Sequence, residues 1–401
     1  MRNRPFVLQK NREADHATMA GKPSLLLINY EFPPLGGGAG TATLNIAREL
    51  ARLGAEVTVL TSAFRGLPRQ EYLHGYRVIR IPTLRRRKDR CSILEMIVFM
   101  ISAAVFSVPI ARKAGAQTTI AFFSIPSGPI AYLLKWFLRI PYIVSLRGGD
   151  VPGYLGQELA FFHRITAPIT RLIWRNAAHV VANSEGLQRL ACRSVPDTAV
   201  AIVPNGVDFE KFVPGNGNAH PVLSLLFVGR LHMQKGLDSL LYALHRLAPE
   251  YRNYRLSIVG DGPERDTLTR LAQDLQLADR IDFLGWVDRD RIPEVYAAAD
   301  AFLFPSRDEG MPNAVLEAMA AGLPILATRI SGSEELVVDR ENGFLVAVDD
   351  IPAMAEALRL IIADPATRHR MGQASRRRIE QHYSWQSTAQ AYFQMAAHQS
   401  S

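Results

Sequence analysis

Cysteine is nearly absent from this chain. Cys91 and Cys192 are the two in 401 residues, and they form no CxxC or metal-type spacing. That excludes a disulfide framework and a thiolate metal centre, and a reducing compartment is the default. The ten histidines contain no HExxH or paired-ligand spacing. His232, beside Arg230, is the one worth following, and it reads as a solvated loop residue. There is no RNP-type aromatic pattern, zinc knuckle or helix-turn-helix signature, which puts nucleic acid last among partners for so basic a chain. Residues 1–22 are polar and lack an apolar run, so they read as a disordered leader and not as a signal peptide. The first glycine-rich turn is not GxGxxG, and the second strand ends in Thr61-Ser62 without the acid that would hold an NAD ribose. Lys235-Gly236 has the wrong order for a P-loop, so ATPase chemistry is not indicated.

What is present describes a soluble globular protein of two or three domains, 48% hydrophobic and 21% charged. A net charge of +8 and a pI near 9.6 suit phosphorylated substrates or an anionic membrane surface. One segment joins both properties. Arg85-Arg86-Arg87-Lys88 and Arg90 precede Met96–Ala111, a stretch of 16 residues without a charge, closed by Arg112-Lys113. It reads as a buried or partly exposed helix of the first domain, with a basic apolar patch lying on an anionic membrane as the alternative. A spanning helix stands third, because roughly 20 apolar residues are needed and Pro109 and Glu95 interrupt the run.

The chain opens with an apolar strand at Ser24–Tyr30 and then Glu31-Phe32-Pro33-Pro34-Leu35. Gly36-Gly37-Gly38-Ala39-Gly40 follows, with a helix predicted over Thr41–Leu53 and a strand over Glu56–Thr61. This βαβ opening has the glycine content that lets backbone approach a phosphate or sugar closely. Thr119–Phe123 and Ile140–Leu146 read as further strands. The second ends in Arg147-Gly148-Gly149-Asp150, a charged, glycine-hinged loop. His179–Ala182 is another strand, with Ser184 capping the next helix. The stretch from Pro214 to Pro221 reads as a linker.

A second α/β unit then begins. Leu223–Val228 reads as a strand ending at Gly229-Arg230, and Lys235-Gly236 follows in the loop. Leu237–Leu247 reads as a helix, Leu256–Gly260 as a strand entering Asp261-Gly262-Pro263, and Ile281–Gly285 as a strand. Asp288-Arg289-Asp290 precedes a helix over Ile292–Ala299 and reads as capping and surface charge. Ala301–Pro305 is a strand, followed by Glu309-Gly310-Met311-Pro312-Asn313-Ala314-Val315-Leu316-Glu317 and Ala-Met-Ala-Ala-Gly322-Leu-Pro324. Pro312 suits the first position of a helix and Gly322 its end. The two glutamates then lie ~10 Å apart along the helix start, about the span of a diphosphate with a hydroxylated group at each end. Acceptor-only carboxylates suit sugar hydroxyls, and the free N–H groups at the helix start suit phosphates. Arg230 and Lys235 leave one strand as the glutamates leave another, so the four can converge at one sheet edge.

These residues together resemble the retaining GT-B glycosyltransferases of the large group-1, family-4 type. The resemblance runs over roughly residues 24–395. It rests on Gly229-Arg230 with Lys235-Gly236, the Val259–Pro263 turn, Pro305-Ser306, and the EGxPxxxxEAMAxGxP run from Glu309 to Pro324. Pro33-Pro34 with the glycine loop, and Val203–Asp208, extend it into the first half. It implies an α/β GT-B fold, with two Rossmann-like domains facing across a cleft. An acceptor domain over 23–208, a linker over 209–221, a nucleotide-sugar domain over 222–383 and a C-terminal helix over 384–401 packing back across the domains would follow.

By that resemblance Arg230 and Lys235 bind the donor diphosphate, Glu309 contacts the sugar, and these three form the catalytic set. Gly37, Gly38, Gly262, Val287, Gly310, Met311, Asn313 and Glu317 line the donor, Glu317 holding the ribose. Arg147, Asp150 and Asn205 stand on the acceptor side. Many relatives carry a histidine after the strand that here ends in Arg147–Asp150, and either Arg147 or Asp150 takes its place. The implied reaction is transfer from a nucleotide-diphosphate sugar, a co-substrate and not a cofactor, to an acceptor hydroxyl with retention and without a metal. A lipid-linked or oligosaccharide acceptor and an anionic membrane surface are the implied partners. A GT-B epimerase or phosphorylase, and a non-catalytic nucleotide-sugar-binding subunit, are the alternatives.

Overall fold

The computed structural model describes residues 22–88, 91–154, 160–215 and 222–397. They fall into two compact units, divided at Asn205/Gly206 and again at Ser384/Trp385.

The first unit contains β1 (Ser24–Ile28), α1 (Gly38–Arg52), β2 (Glu56–Ser62), β3 (Gln70–Leu73), β4 (Tyr76–Ile81), α2 (Ile93–Lys113) and β5 (Thr118–Phe122). It continues through α3 (Ser127–Leu138), β6 (Tyr142–Ser145), α4 (Ala160–Asn176), β7 (His179–Ala182), α5 (Glu185–Ser194) and β8 (Val200–Ile202). The strands order as β3-β4-β2-β1-β5-β6-β7-β8, parallel except for the β3 hairpin. Runs such as Leu25-Leu26-Leu27-Ile28 are buried on both faces, as parallel strands between helix layers must be. Leu25 and Leu27 face a core shared with α1, while Leu26 and Ile28 face α2 and α3.

Two expectations shift here. α1 begins inside the glycine run, at Gly38 and not Thr41, with Gly37 as its cap. α2 is longer than the uncharged stretch and continues through Pro109. Its start is set by a capping box: Ser92 accepts from the Glu95 backbone, and the Glu95 carboxylate returns to the Ser92 N–H at 2.7 Å. Glu95, which interrupts the apolar run in sequence, is therefore the residue that begins the helix.

The second unit contains β9 (Leu223–Val228), α6 (Leu237–Leu247), β10 (Tyr254–Val259), α7 (Arg265–Asp274), β11 (Ile281–Gly285), α8 (Ile292–Ala297) and β12 (Ala301–Phe304). After these come α9 (Asn313–Ala320), β13 (Ile325–Thr328), α10 (Ser331–Glu334), β14 (Gly343–Val346), α11 (Ile351–Ala363) and α12 (Pro365–His382). Its parallel sheet orders as β11-β10-β9-β12-β13-β14. The last helix, α13 (Trp385–Ala397), belongs to the first unit, where it packs on α1. Tyr392 on α13 meets Ser145 at 2.6 Å, and Thr388 donates to the Pro204 carbonyl at 2.9 Å.

The first residues of the expected linker pack on the second unit. Phe212 is buried and Phe209 half-buried in the core of the second unit, and Arg376 donates to both their carbonyls. Residues 216–221 lie outside the described residues, as does the expected leader up to residue 21.

Each sheet reverses its winding once, between β1 and β5 in the first unit and between β9 and β12 in the second. In open α/β sheets the crevice at the carboxyl ends of such a pair is where ligands bind. The glycine loop leaves β1, Arg230 and Lys235 follow β9, and Glu309 follows β12. The topology thus brings the singled-out residues to the two switch points.

Candidate functional site

In the second unit, the loop after β12 is stitched to the loop after β9. Arg307 donates to the Met233 carbonyl and pairs with Asp238 at 2.8 Å, and its Nε bonds both Asp349 oxygens at 3.0 Å. Gln234 donates from Nε2 to the Asp308 carbonyl at 2.6 Å, and the Arg307 N–H returns to the Gln234 carbonyl at 2.7 Å. Those bonds hold a 3-10 turn, Met233–Lys235, against the residues preceding Glu309. His232 caps this turn, accepting from the Gln234 N–H at 3.3 Å, and is half-buried, not a solvated loop residue.

Lys235 and Glu309 consequently form an ion pair, with side chains 17% and 15% exposed. The ammonium also lies 5.4 Å from the Phe304 ring centre. Arg230 stands exposed at the end of β9. Gly310 and Met311 are buried, with Met311 in the core under α9, and α9 begins without a side-chain cap. Pro312 is the cap of that helix and Asn313 its first residue, one position later than expected.

Glu317 lies on the second turn of α9. Its carboxylate accepts from the Tyr296 hydroxyl at 3.0 Å, and the same hydroxyl has the Ala314 carbonyl at 3.2 Å as a second acceptor. Burial pushes the Glu317 carboxyl up to about 7, against the opposing effects of Tyr296, Arg289 and Lys211. Burial beside Glu317 likewise drives the Tyr296 hydroxyl well above its ordinary range. Arg289 is exposed, as the surface-charge reading has it, but it does not act as a helix cap, a place taken by Arg291. Its guanidinium is lowered by desolvation, with Glu317 the larger of the two charges that oppose the shift. Asp290 faces Lys211 at 3.5 Å. Val287, two residues before Arg289, is partly buried against the core under α9.

Gly262 has a packing reason of its own. A Cβ there would lie 2.2 Å from the Leu231 carbonyl oxygen, so the loops after β9 and β10 touch backbone to backbone. Gly37 differs, because an added Cβ meets nothing within 4 Å. The fold's own packing does not require glycine at that position.

In the first unit, the Gly37 N–H donates to the Glu31 carboxylate at 3.3 Å. Burial raises the Glu31 pKa, opposed by Arg85, the Gly37 N–H and Tyr30. Arg85 is buried, 5.9 Å from the Tyr30 ring centre, and donates to the Arg87 and Lys88 carbonyls. It organises the loop beside the glycine run and is not available as surface charge. Arg86, Arg87 and Lys88 remain exposed, and Arg90 lies outside the described residues. Gly38 is the first residue of α1.

After β6, Asp150 is buried and fully committed. It accepts from the Ser124 N–H (2.7 Å) and hydroxyl (3.1 Å), the Arg147 N–H (2.9 Å) and the Gly148 N–H (3.1 Å). Four donors on one carboxylate make it the knot of this loop. Arg147 lies over the Phe122 ring, 4.8 Å from its centre, and donates from Nη1 to the Asn205 side-chain oxygen at 2.7 Å. Its Nε and Nη2 are enclosed and make no hydrogen bond. Desolvation lowers its pKa, offset by Tyr392 and Asp150. Among the described residues no three His, Cys, Asp or Glu side chains gather as metal ligands.

Comparison with known proteins concerns the family and the fold. Residues 208–378 match the family profile "Glycosyl transferases group 1", and residues 37–206 match "Glycosyl transferase 4-like domain". The chain is 29% identical, over 90% of its length and 95% of the relative's, to a GDP-mannose-dependent alpha-(1-6)-phosphatidylinositol monomannoside mannosyltransferase of Mycolicibacterium smegmatis. Its fold matches sucrose-phosphate synthase from Thermosynechococcus elongatus with a TM-score of 0.82 at 23% identity, covering 94% of this chain and 99% of that one. It also matches Anabaena HepE in complex with UDP-glucose, with a TM-score of 0.73 at 20% identity over 94% and 99% of the two chains.

Proposed function

Because the chain belongs to the group-1 glycosyltransferases and has their GT-B fold, we propose that it is a retaining hexosyltransferase. In this reading it moves a sugar from a nucleotide-diphosphate sugar to an acceptor hydroxyl and needs no metal. The observation that carries it is the pairing at the second switch point, where Lys235 meets Glu309 on the loops after β9 and β12, and Glu317 on α9 accepts from Tyr296 on α8 with the charge of Arg289 acting on it. Arg230 and Lys235 supply positive charge where it develops on the leaving diphosphate, the role a metal plays elsewhere. Glu309 takes sugar hydroxyls, and Glu317 takes the ribose diol with Tyr296 and Arg289 fixing its carboxylate. Gly37 and Gly38 approach the phosphates, and Gly262, Val287, Gly310, Met311 and Asn313 form the donor lining.

The bond from the anomeric carbon to the phosphate oxygen breaks with its electrons leaving on the phosphate. The acceptor oxygen bonds to that carbon on the same face. Retention thereby sets the departing phosphate oxygen beside the acceptor hydroxyl, and that oxygen receives the proton.

Arg147, with two guanidinium nitrogens lacking an acceptor, takes the place of the family's histidine near the transferred sugar, and Asn205 orients it. The acceptor is a lipid-linked or polysaccharide precursor in bacterial cell-surface glycan synthesis. The enzyme is cytoplasmic and meets the inner membrane face through α2 and the basic loop before it. The relative that uses GDP-mannose on a phosphatidylinositol mannoside supports this reading, as does the neighbour that holds UDP-glucose. The test is a panel of UDP-, GDP- and ADP-sugars, first by thermal stabilisation and then by mass spectrometry of glycosylated lipid acceptors. Stabilisation by none of them would sink the donor assignment.

A further inference from the structure

Helices α2, α3 and α4 form one layer on the first sheet, α2 packing on α3 and α3 on α4. Each buries the stripe facing the sheet: Phe99 and Ala103 on α2, Ile130 and Leu134 on α3, Ile173 and Trp174 on α4. The outward stripes are also apolar. On α2, Leu94, Ile101 and Val105 are 63–66% exposed. On α3, Trp136 is 72% exposed, its ring 4.7 Å from that of Phe137. On α4, Phe161, Ile165, Ile169 and Leu172 recur every three or four residues at 46–78% exposure. A contiguous apolar surface of this kind on a folded chain marks a docking site.

We propose that the outer faces of α2, α3 and α4 together form a docking surface for an anionic lipid bilayer, on which the protein lies without spanning it. This deepens the proposed function by giving its partner surface, and it rests on that reading only for its purpose. The choice of partner comes from charge. The three helices carry Arg112, Lys113, Arg164 and Arg171, together with Arg175, which pairs with Asp197, and Lys135, which donates to the Asn176 carbonyl, against the single helix acid Glu95, which is used in the capping box. A second copy presenting the same face would bring cation against cation, whereas anionic headgroups complement it. A spanning role for α2, long enough at 21 residues, would tear out the stripe that closes the core against β4 and α3. The sequence pointed to α2 alone. The contribution of α4 is new, because its apolar stripe is broken in sequence by arginines and shows only once its buried side is known.

The test is sedimentation of the full chain with phosphatidylcholine vesicles, with and without phosphatidylglycerol. Binding is expected to require phosphatidylglycerol and to fall steeply as salt rises. Ile165→Glu with Ile169→Glu, on α4, should lower partitioning at least about tenfold although α2 is intact, and Ile101→Glu with Val105→Glu should do the same. Arg164→Glu with Arg171→Glu, which leaves the apolar stripe alone, should weaken the salt-sensitive part. Trp136 should shift its emission to the blue on binding in a Trp286→Phe background, which removes the other exposed indole. Failure of the wild type to bind, wild-type binding by the α4 pair, or a dimer that these substitutions dissociate would each overturn the proposal. Thermal stabilisation by nucleotide-sugars, measured on the same samples, reports the transferase reading separately and should be unchanged in every variant.

Discussion

Lys235 and Glu309, 74 residues apart in sequence, are bonded to each other, ammonium to carboxylate. The acid proposed to contact the sugar thus sits on the cation proposed to receive the diphosphate. A diphosphate and Glu309 compete for one ammonium, so donor binding must loosen this pair before the sugar can be gripped.

That competition predicts opposite effects on binding and turnover. Glu309→Gln should bind a nucleoside diphosphate more tightly than the wild type, because Lys235 is released, while turnover falls about tenfold to hundredfold. Lys235→Met should weaken binding, and the double variant should show a coupling of about 1–3 kcal/mol. Isothermal titration with the four proteins measures the cycle. Additive effects would show that the pair is not coupled to the donor.

Glu317 predicts a pH dependence with two signs. Its carboxyl titrates near 7 in the folded chain because it is desolvated, above its unfolded value. Its stabilising contribution is therefore fully present below the unfolded pKa and is lost as pH rises through about 7. A ribose diol donates to the ionised form, so nucleotide-sugar affinity should move the other way, about tenfold weaker near pH 6 than near pH 8. Glu317→Gln should flatten both trends, and Glu317→Ala should weaken donor binding at all pH values. Melting curves across this range check the stability trend, and calorimetric titrations check the affinity trend.

Asp150 and Arg147 should separate stability from catalysis. Asp150→Ala strands four donors in a buried loop and should cost about 3 kcal/mol or more in unfolding free energy. Arg147→Met removes a guanidinium whose burial is only partly compensated, so it should leave the melting temperature nearly unchanged and lower turnover. A turnover loss for Asp150→Asn at unchanged stability, with Arg147→Met active, would reverse the assignment.

Metal independence and stereochemistry can fail separately. Turnover should persist in EDTA, and loss restored by magnesium or manganese would defeat the first. An NMR time course should show the retained anomer as initial product, and the inverted anomer would remove the chain from the retaining class.

Much of the local architecture is legible in the order of residues. Runs such as Leu25–Ile28 and Ala301–Phe304 announce buried parallel strands, and Gly322 with Pro324 announces a helix end. The positions of Glu309 and Glu317 at the start of α9 follow from the same local signals. These are short-range properties: periodicity says which face of an element is apolar, and glycine and proline say where it must stop.

Partners across long loops are a different matter. Arg289 is exposed as its sequence suggests, but only the fold sets its charge against Glu317, and only the fold closes Ser124 on Asp150. Arg307, which holds the Lys235 turn against the Glu309 loop, carries no sequence signal at all. The sequence alone determined the elements and the motif, because neighbours along the chain set backbone conformation and burial pattern. Only the tertiary structure decided which charges meet, because the crossover connections bring loops distant in sequence to the carboxyl ends of adjacent strands. There, burial and pairing set what each side chain can do.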